Sequence, residues 1–334
     1  MSFDSHIDLA SLTGRGTIAG VYSIVNPQEG TTKTNKPFLK CLLRDASGEV
    51  AGRQWDFDSA ALDGLTSTAF VRVFGSSELY QDRVQIKITD IEPVDREELS
   101  DEDLRKLLPY ATRDLDEMFA KVAALLGTLE HPAAAALAKA YLDDRALMEG
   151  FRKAPAAQGV HHAWIGGLLD HTLQLMEAAD AMLPLYPELN RDLILLGLFL
   201  HDLGKVAELD WDMGFSYTMD GNLIGHIVRG AIWLHDKARA VQAAGTPIPP
   251  AALTVLQHII LSHHGLLEYG AAKVPSTPEA IFVAQMDNLD AKVRGALSAT
   301  RPEGRPWPRT TRGFTDRVWF LDTRLYQPDP LADD

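Results

Sequence analysis

The stretch that most constrains the fold is GLFLHDLGK, Gly197 to Lys205. It completes an apolar run, LILLGLFL (Leu193 to Leu200), and ends that run in adjacent His201 and Asp202. A helix this apolar belongs in a core, so the polar pair at its end must find partners inside the protein. A charged carboxylate beside an imidazole is costly to bury alone, and a metal ion is a common partner for both. The rest of the chain has to bring further ligands to that helix end.

It carries candidates at suitable places. Nine of the eleven histidines fall between positions 161 and 264. His171 lies in LLDHT, His226 in GHIVRG, His263 beside His264 in ILSHHG, and Asp287 in MDNLD. Each sits on its own helix-length, apolar-periodic segment closed by Gly or Pro, which predicts an all-α domain. Helical bundles build metal centres by projecting one or two ligands inward from several helices. Imidazole with carboxylate suits Mn²⁺, Fe²⁺, Co²⁺ or Zn²⁺, and the ligand set alone selects none of them.

Up to about residue 95 the pattern is different. Thr17–Val25, Pro37–Gly48, Glu49–Phe57, Ala69–Tyr80 and Arg83–Val94 are short and rich in β-branched or aromatic residues. Val84, Ile86 and Ile88 alternate with Gln85, Lys87 and Thr89, the period of a half-buried strand. Five such strands suit a small OB-type barrel, and a small antiparallel sandwich would give the same pattern. Ser100 with its acidic followers predicts a helix start. The fold class expected is therefore α+β multidomain, a five-stranded barrel followed by an all-α domain. Short β character reappears only at Arg317–Asp322.

Composition narrows the setting. A formal net charge of −14 gives no global attraction for nucleic acid, so an anionic substrate needs a local cationic site. One cysteine, Cys41, excludes an intramolecular disulfide framework. The N-terminus lacks a secretory pattern and no apolar run spans a bilayer, so a cytoplasmic protein without membrane contact is expected.

The order H…HD…D, carried by His171, His201-Asp202 and Asp287, resembles the HD superfamily of metal-dependent phosphohydrolases. The longer segments HHAWIGGLLDHT, PELNRDLILLGLFLHDLGK, DGNLIGHIVRG, ILSHHG and MDNLDA look like the YhaM-type 3′–5′ exoribonucleases, which also carry an N-terminal OB-type domain. KPFLKCLLRDASGEVAGRQWD resembles part of that domain. The resemblance implies an OB-fold nucleic-acid-binding domain over 1–95, a helical connector over 96–150, an HD domain over 151–310 and a tail over 311–334. It implies one or two divalent ions, Mn²⁺ foremost with Mg²⁺ also open. His171, His201, Asp202 and Asp287 match the ligands of a first ion, and His226 and His263 those of a second. Asp202 would bridge, and Lys205 would stabilise charge developing on the phosphate.

Several positions keep two readings. Asp290, one turn after Asp287, competes with it as ligand; His264 is a ligand, a support or a substrate contact; His161 and His162 touch substrate or cap a helix. His6 is expected to be an exposed tail residue. In the barrel, Lys36, Phe38, Lys40, Trp55 and Tyr80, with Arg53, Phe57, Arg83 and Lys87, are candidates for stacking and charge contacts to a single strand. The function expected is a 3′–5′ exonuclease acting on single-stranded RNA, with single-stranded DNA and a homo-oligomer open. The alternatives are a phosphohydrolase of nucleotides or cyclic dinucleotides with a regulatory barrel, and a non-catalytic single-strand-binding protein.

Overall fold

The structure is a computed structural model and describes residues 6–80, 83–157, 162–211, 215–301 and 313–331. Its contacts form two compact units, Met1–Ala111 with Asp210–Ser216, and Thr112–Leu209 with Tyr217–Asp334.

In the first unit, β1 (Arg15–Thr31), β2 (Pro37–Asp45), β3 (Gly48–Trp55), β4 (Phe70–Tyr80) and β5 (Arg83–Val94) close into a barrel in the order β1-β2-β3-β5-β4. β3 and β5 run parallel and every other pair is antiparallel. Closure removes the sandwich alternative and gives the five-stranded OB-like arrangement. β1 serves two partners: Arg15–Ser23 pair with β4 and Ser23–Thr31 with β2, the latter pairing interrupted by an irregularity at Val25–Gln28. Such a bulge bends a strand and lets it turn the corner of a barrel. The alternation read in the sequence is the in-and-out alternation of the wall. Leu39, Cys41 and Leu43 point into a core with Ile18, Tyr22, Val71, Val73, Ile86 and Ile88, while Lys40 is exposed.

The turn from β2 to β3 is organised by Asp45. Its carboxylate accepts hydrogen bonds from the amides of Ser47 (2.8 Å), Gly48 (2.9 Å) and Leu9 (2.8 Å). His6 is not an exposed tail residue. Its ring is 5% exposed, with Nε2 3.3 Å from Asp45 Oδ2, and it packs against Tyr22. Burial pushes the Tyr22 hydroxyl up to about 12 and the Cys41 thiol likewise to about 12. A short helix, α1 (Leu62–Thr66), joins β3 to β4, and α2 (Asp101–Leu107) starts at Ser100, whose side chain and that of Asp103 form a capping box.

The second unit is helical: α3 (Leu115–Leu126), α4 (Pro132–Leu142), α5 (Arg145–Lys153), α6 (Gly167–Met182), α7 (Arg191–Leu200), α8 (Lys205–Glu208), α9 (Met219–Leu223), α10 (His226–Ala243), α11 (Pro250–Ser262) and α12 (Pro278–Thr300). The two-residue strands β6 (Leu209–Asp210) and β7 (Ser216–Tyr217) pair with each other between α8 and α9. α7 is the central helix, with Ile194 to Leu200 all buried, started by Asn190, whose side chain caps the Leu193 amide. The Arg317–Asp322 run is not one strand: β8 (Phe314–Val318) ends within it, a turn follows, and β9 (Thr323–Tyr326) returns. Among the described residues no helix is long and apolar enough to cross a membrane.

Candidate metal centre

The end of α7 does meet partners. His171 comes from α6, His201 and Asp202 follow α7, Lys205 opens α8, His226 opens α10, His263 ends α11, and Asp287 lies on α12. Six helices thus deliver polar side chains to one buried place, where His171, His201 and His263 are each 1% exposed or less and Asp202 is 3% exposed.

The direction of each ring matters as much as its position. His201 Nδ1 donates to the Leu198 carbonyl (2.6 Å), His263 Nδ1 to the Ile260 carbonyl (2.8 Å) and His171 Nδ1 to Asp290 Oδ2 (2.7 Å). With Nδ1 committed as donor, a neutral imidazole presents Nε2 as a lone pair. His171 and His201 turn these nitrogens toward each other at 3.3 Å. His171 Nε2 is also 3.3 Å from Asp287 Oδ1 and 3.8 Å from Asp202 Oδ2.

Asp202 divides its two oxygens. Oδ2 faces His201 (3.5 Å) and accepts from Lys205 Nζ (2.6 Å). Oδ1 faces His226 Nε2 (3.4 Å) and His263 Nε2 (3.3 Å). Among the described residues, Asp202 Oδ1, His226 Nε2 and His263 Nε2 are buried atoms with no hydrogen-bond partner. Buried polar atoms left so are costly, and three of them aimed at one point fit a cation. Among the described residues four groups have metal-ligand spacing, and two of them, His171–His201–Asp202 and Asp202–His226–His263–His264, share Asp202; the others are His162–His171–Asp290 and His6–Asp8–Asp45.

The electrostatics point the same way. Burial alone would depress His171, but its hydrogen bonds to Asp287 and Asp290 and the charges of Asp287 and Asp202 outweigh it and push the imidazolium up to about 9. The carboxylates therefore demand positive charge there. Burial holds His201 and His264 down at about 4, which keeps them neutral, the ligating form. Asp202 and Asp287 are held well below the usual carboxylate range, because the cationic and imidazole neighbours outweigh their burial. Lys205 is raised, since Asp202 overcomes its desolvation.

Other expected residues stand one contact further out. Asp290 receives His171 Nδ1, His162 Nε2 (3.0 Å) and the Gln174 amide (2.7 Å), so it lies behind the His171 ring rather than before it. His162, at a left-handed φ of 51°, contacts Asp290 through Nε2 and has Nδ1 3.7 Å from Asp170 Oδ2. His264 donates from Nδ1 to Tyr269 O (2.7 Å), and its ring centroid lies 5.2 Å from that of His226. His161 falls outside the described residues.

Sequence reasoning missed Glu208, at the end of α8. Its Oε1 accepts the His226 amide (3.1 Å), and its Oε2 lies 2.8 Å from His226 Nδ1, a close ionic contact rather than an aligned hydrogen bond. Burial raises the Glu208 carboxyl, and the His226 contacts outweigh that, leaving it lowered. The one available signal was an acidic residue one turn beyond Lys205. It also missed Gln174 and Arg294, which brace Asp290: Arg294 Nε donates to Gln174 Oε1 at 3.1 Å.

On the barrel, Phe38 and Trp55 are cross-strand partners with ring centroids 5.1 Å apart, and Trp55 is 39% exposed. Lys40 lies opposite Arg53, and Arg53 opposite Lys87. Arg53 also sits over the exposed Tyr80 ring at 5.4 Å. Lys36 is paired with Asp56 at 2.8 Å, and Phe57 is buried in the core.

Residues 168–292 match the HD domain family. Among solved structures, the chain is similar to a replication protein A heterotrimer bound to single-stranded DNA, at 24% identity over 25% of this chain and 62% of that one, with a TM-score of 0.20. It is also similar to the second OB-fold domain of replication protein A from Methanococcus maripaludis, at 15% identity over 26% of this chain and 93% of that one, with a TM-score of 0.21. This chain thus spans about three fifths of the first of these chains.

Proposed function

We propose that this chain is a metal-dependent 3′–5′ exonuclease of single-stranded RNA. What carries the reading is the sharing of Asp202. Its two oxygens face two separate pairs of histidines, as a carboxylate between two ions would. The HD domain over 168–292 supports hydrolysis of a phosphate ester as the chemistry. The YhaM-like motifs, from HHAWIGGLLDHT to MDNLDA, support RNA and the 3′–5′ direction.

His171, His201, Asp202 and Asp287 would hold one ion, and Asp202, His226 and His263 a second, with Mn²⁺ the ion of choice. A divalent ion so held would acidify water and polarise the phosphoryl oxygens of a bound phosphate ester. The chain's own residues do the rest. The Nδ1 donors fix each ring, and the apolar α7 keeps bulk water from its end. Lys205, on Asp202, places a cation where charge develops on the phosphate. Asp287 takes the ligand role and Asp290 that of holding the His171 ring.

The barrel would hold the strand. Lys40, Arg53 and Lys87 form a cationic row across β2, β3 and β5, flanked by Phe38 with Trp55 and by Tyr80. Aromatic rings beside a basic track are what a single strand needs, and in OB folds strands 2 and 3 commonly supply them.

The test uses 5′-labelled single-stranded RNA with Mn²⁺, with and without chelator, beside Asp202→Ala. A ladder shortening from the 3′ end only with metal and only in the wild type is expected. Turnover of a nucleotide with RNA left intact would replace this reading by the phosphohydrolase one.

A further inference from the structure

We propose that Glu208 is a positioning residue that sets the tautomer of His226 and, through it, whether the Asp202–His226–His263 cluster can take an ion. The inference rests on the metal-centre reading above.

His226 differs from the other rings at the centre. His201 and His263 give Nδ1 to a carbonyl three residues back in their own helix, so their tautomer follows from local backbone. His226 opens α10 and has no preceding turn to supply such a carbonyl. Its Nδ1 is met instead by Glu208, eighteen positions away in sequence, which also takes its backbone amide. The two segments are pressed together at their backbones. A Cβ on Gly204 would stand 2.1 Å from the His226 carbonyl oxygen, and one on Gly221 2.2 Å from that of Glu208. Glu208 therefore has little freedom to turn away.

The two contacts fix the chemistry. The His226 amide is a donor, so the Glu208 atom facing it must be an acceptor. The other carboxylate oxygen lies 2.8 Å from Nδ1, not aligned as a hydrogen bond but close enough to favour a proton there, and Nε2, 3.4 Å from Asp202 Oδ1, would then be the nitrogen offered to an ion. A glutamine at 208 would have to keep its carbonyl oxygen on the amide and turn its NH₂ to Nδ1. That arrangement favours the Nε2–H tautomer, which cannot ligate. Alanine would open space for water, which can accept from Nδ1–H. The substitution closest in shape is thus the more damaging one, which packing alone would not produce.

The test is Mn²⁺ binding by calorimetry and low-temperature EPR on the full chain as wild type, Glu208→Gln, Glu208→Ala and His226→Ala, with circular dichroism on each. The wild type is expected to bind two ions. Glu208→Gln should bind one, as His226→Ala does, and Glu208→Ala should keep the second with affinity weakened on the order of 10–100-fold. A Glu208→Gln protein that binds two ions like the wild type, or Gln and Ala variants equally impaired, overturns the proposal. A wild type binding one ion also overturns it while leaving a one-ion centre, and a wild type binding none overturns the metal reading itself. A readout independent of variant folding is ¹⁵N-histidine NMR of the Zn²⁺-loaded wild type. His226 should keep its proton on Nδ1 with Nε2 on the ion, and ligation through Nδ1 would refute the proposal.

Discussion

Asp290 accepts the Nδ1 proton of His171 at 2.7 Å, on the opposite side of the ring from Asp287, whose Oδ1 is 3.3 Å from Nε2. One imidazole is thus gripped between two carboxylates a single helical turn apart. Their substitutions should separate. Asp287→Ala should abolish metal-dependent hydrolysis, whereas Asp290→Asn should keep it while weakening Mn²⁺ binding on the order of 10–100-fold. Calorimetry with a parallel RNA assay checks this. Equal losses would mean that the two aspartates share one role.

The barrel face predicts a split between stacking and charge. Phe38→Ala and Trp55→Ala should each cost about 1–3 kcal/mol of single-strand affinity. Lys40→Ala and Lys87→Ala should instead reduce the slope of log affinity against log salt, by roughly one phosphate contact each. Fluorescence anisotropy with a short RNA at several salt concentrations measures both. Affinity independent of salt would remove the charge row from the interface.

Much of this site was legible because its signals are local. His201 and Asp202 stand adjacent at the end of an apolar run, and the β2 alternation of Leu39, Cys41 and Leu43 is visible residue by residue. What the sequence withheld is long-range. Asp287 and Asp290 lie three apart on one helix, so periodicity puts both on one face, and only the orientation of His171 tells them apart. Glu208 meets His226 across a chain reversal that no local pattern announces. His6 looked like tail because its partner, Asp45, lies beyond a whole strand.

Gly204 marks where backbones touch. In Gly204→Ala the new methyl would meet the His226 carbonyl at 2.1 Å, and backbone cannot yield as a side-chain end can. A destabilisation of about 1–3 kcal/mol is expected. Urea unfolding measures it, and a loss near zero would show that the α8 and α10 segments can part freely.

Asp45 gives a pH dependence away from the metal centre. Burial raises its carboxyl, and the contacts with His6, Ser47, Leu9 and Gly48 outweigh that, so the folded pKa is lowered. Its contribution is therefore fully present above the unfolded value of about 3.9 and is lost as pH falls through the lower folded value. Asp45→Asn should destabilise the chain by roughly 1.5–3 kcal/mol at pH 7. The gap to wild type should narrow below about pH 4. Urea titrations at pH 7 and pH 3 would reveal it, and a gap that stays constant would contradict the assignment.

The dispersal of the buried cluster over α6, α7, α10, α11 and α12 has a consequence for the order of assembly. No short segment of the nascent chain holds enough of it to capture an ion, and closing the long loops between these helices is the slow part of folding. On the metal-centre reading, ion uptake would then come last, after every helix has found its neighbour. A molecule with one helix misdocked would stay unloaded, so a bound ion would act as a lock that closes only on the correctly threaded bundle.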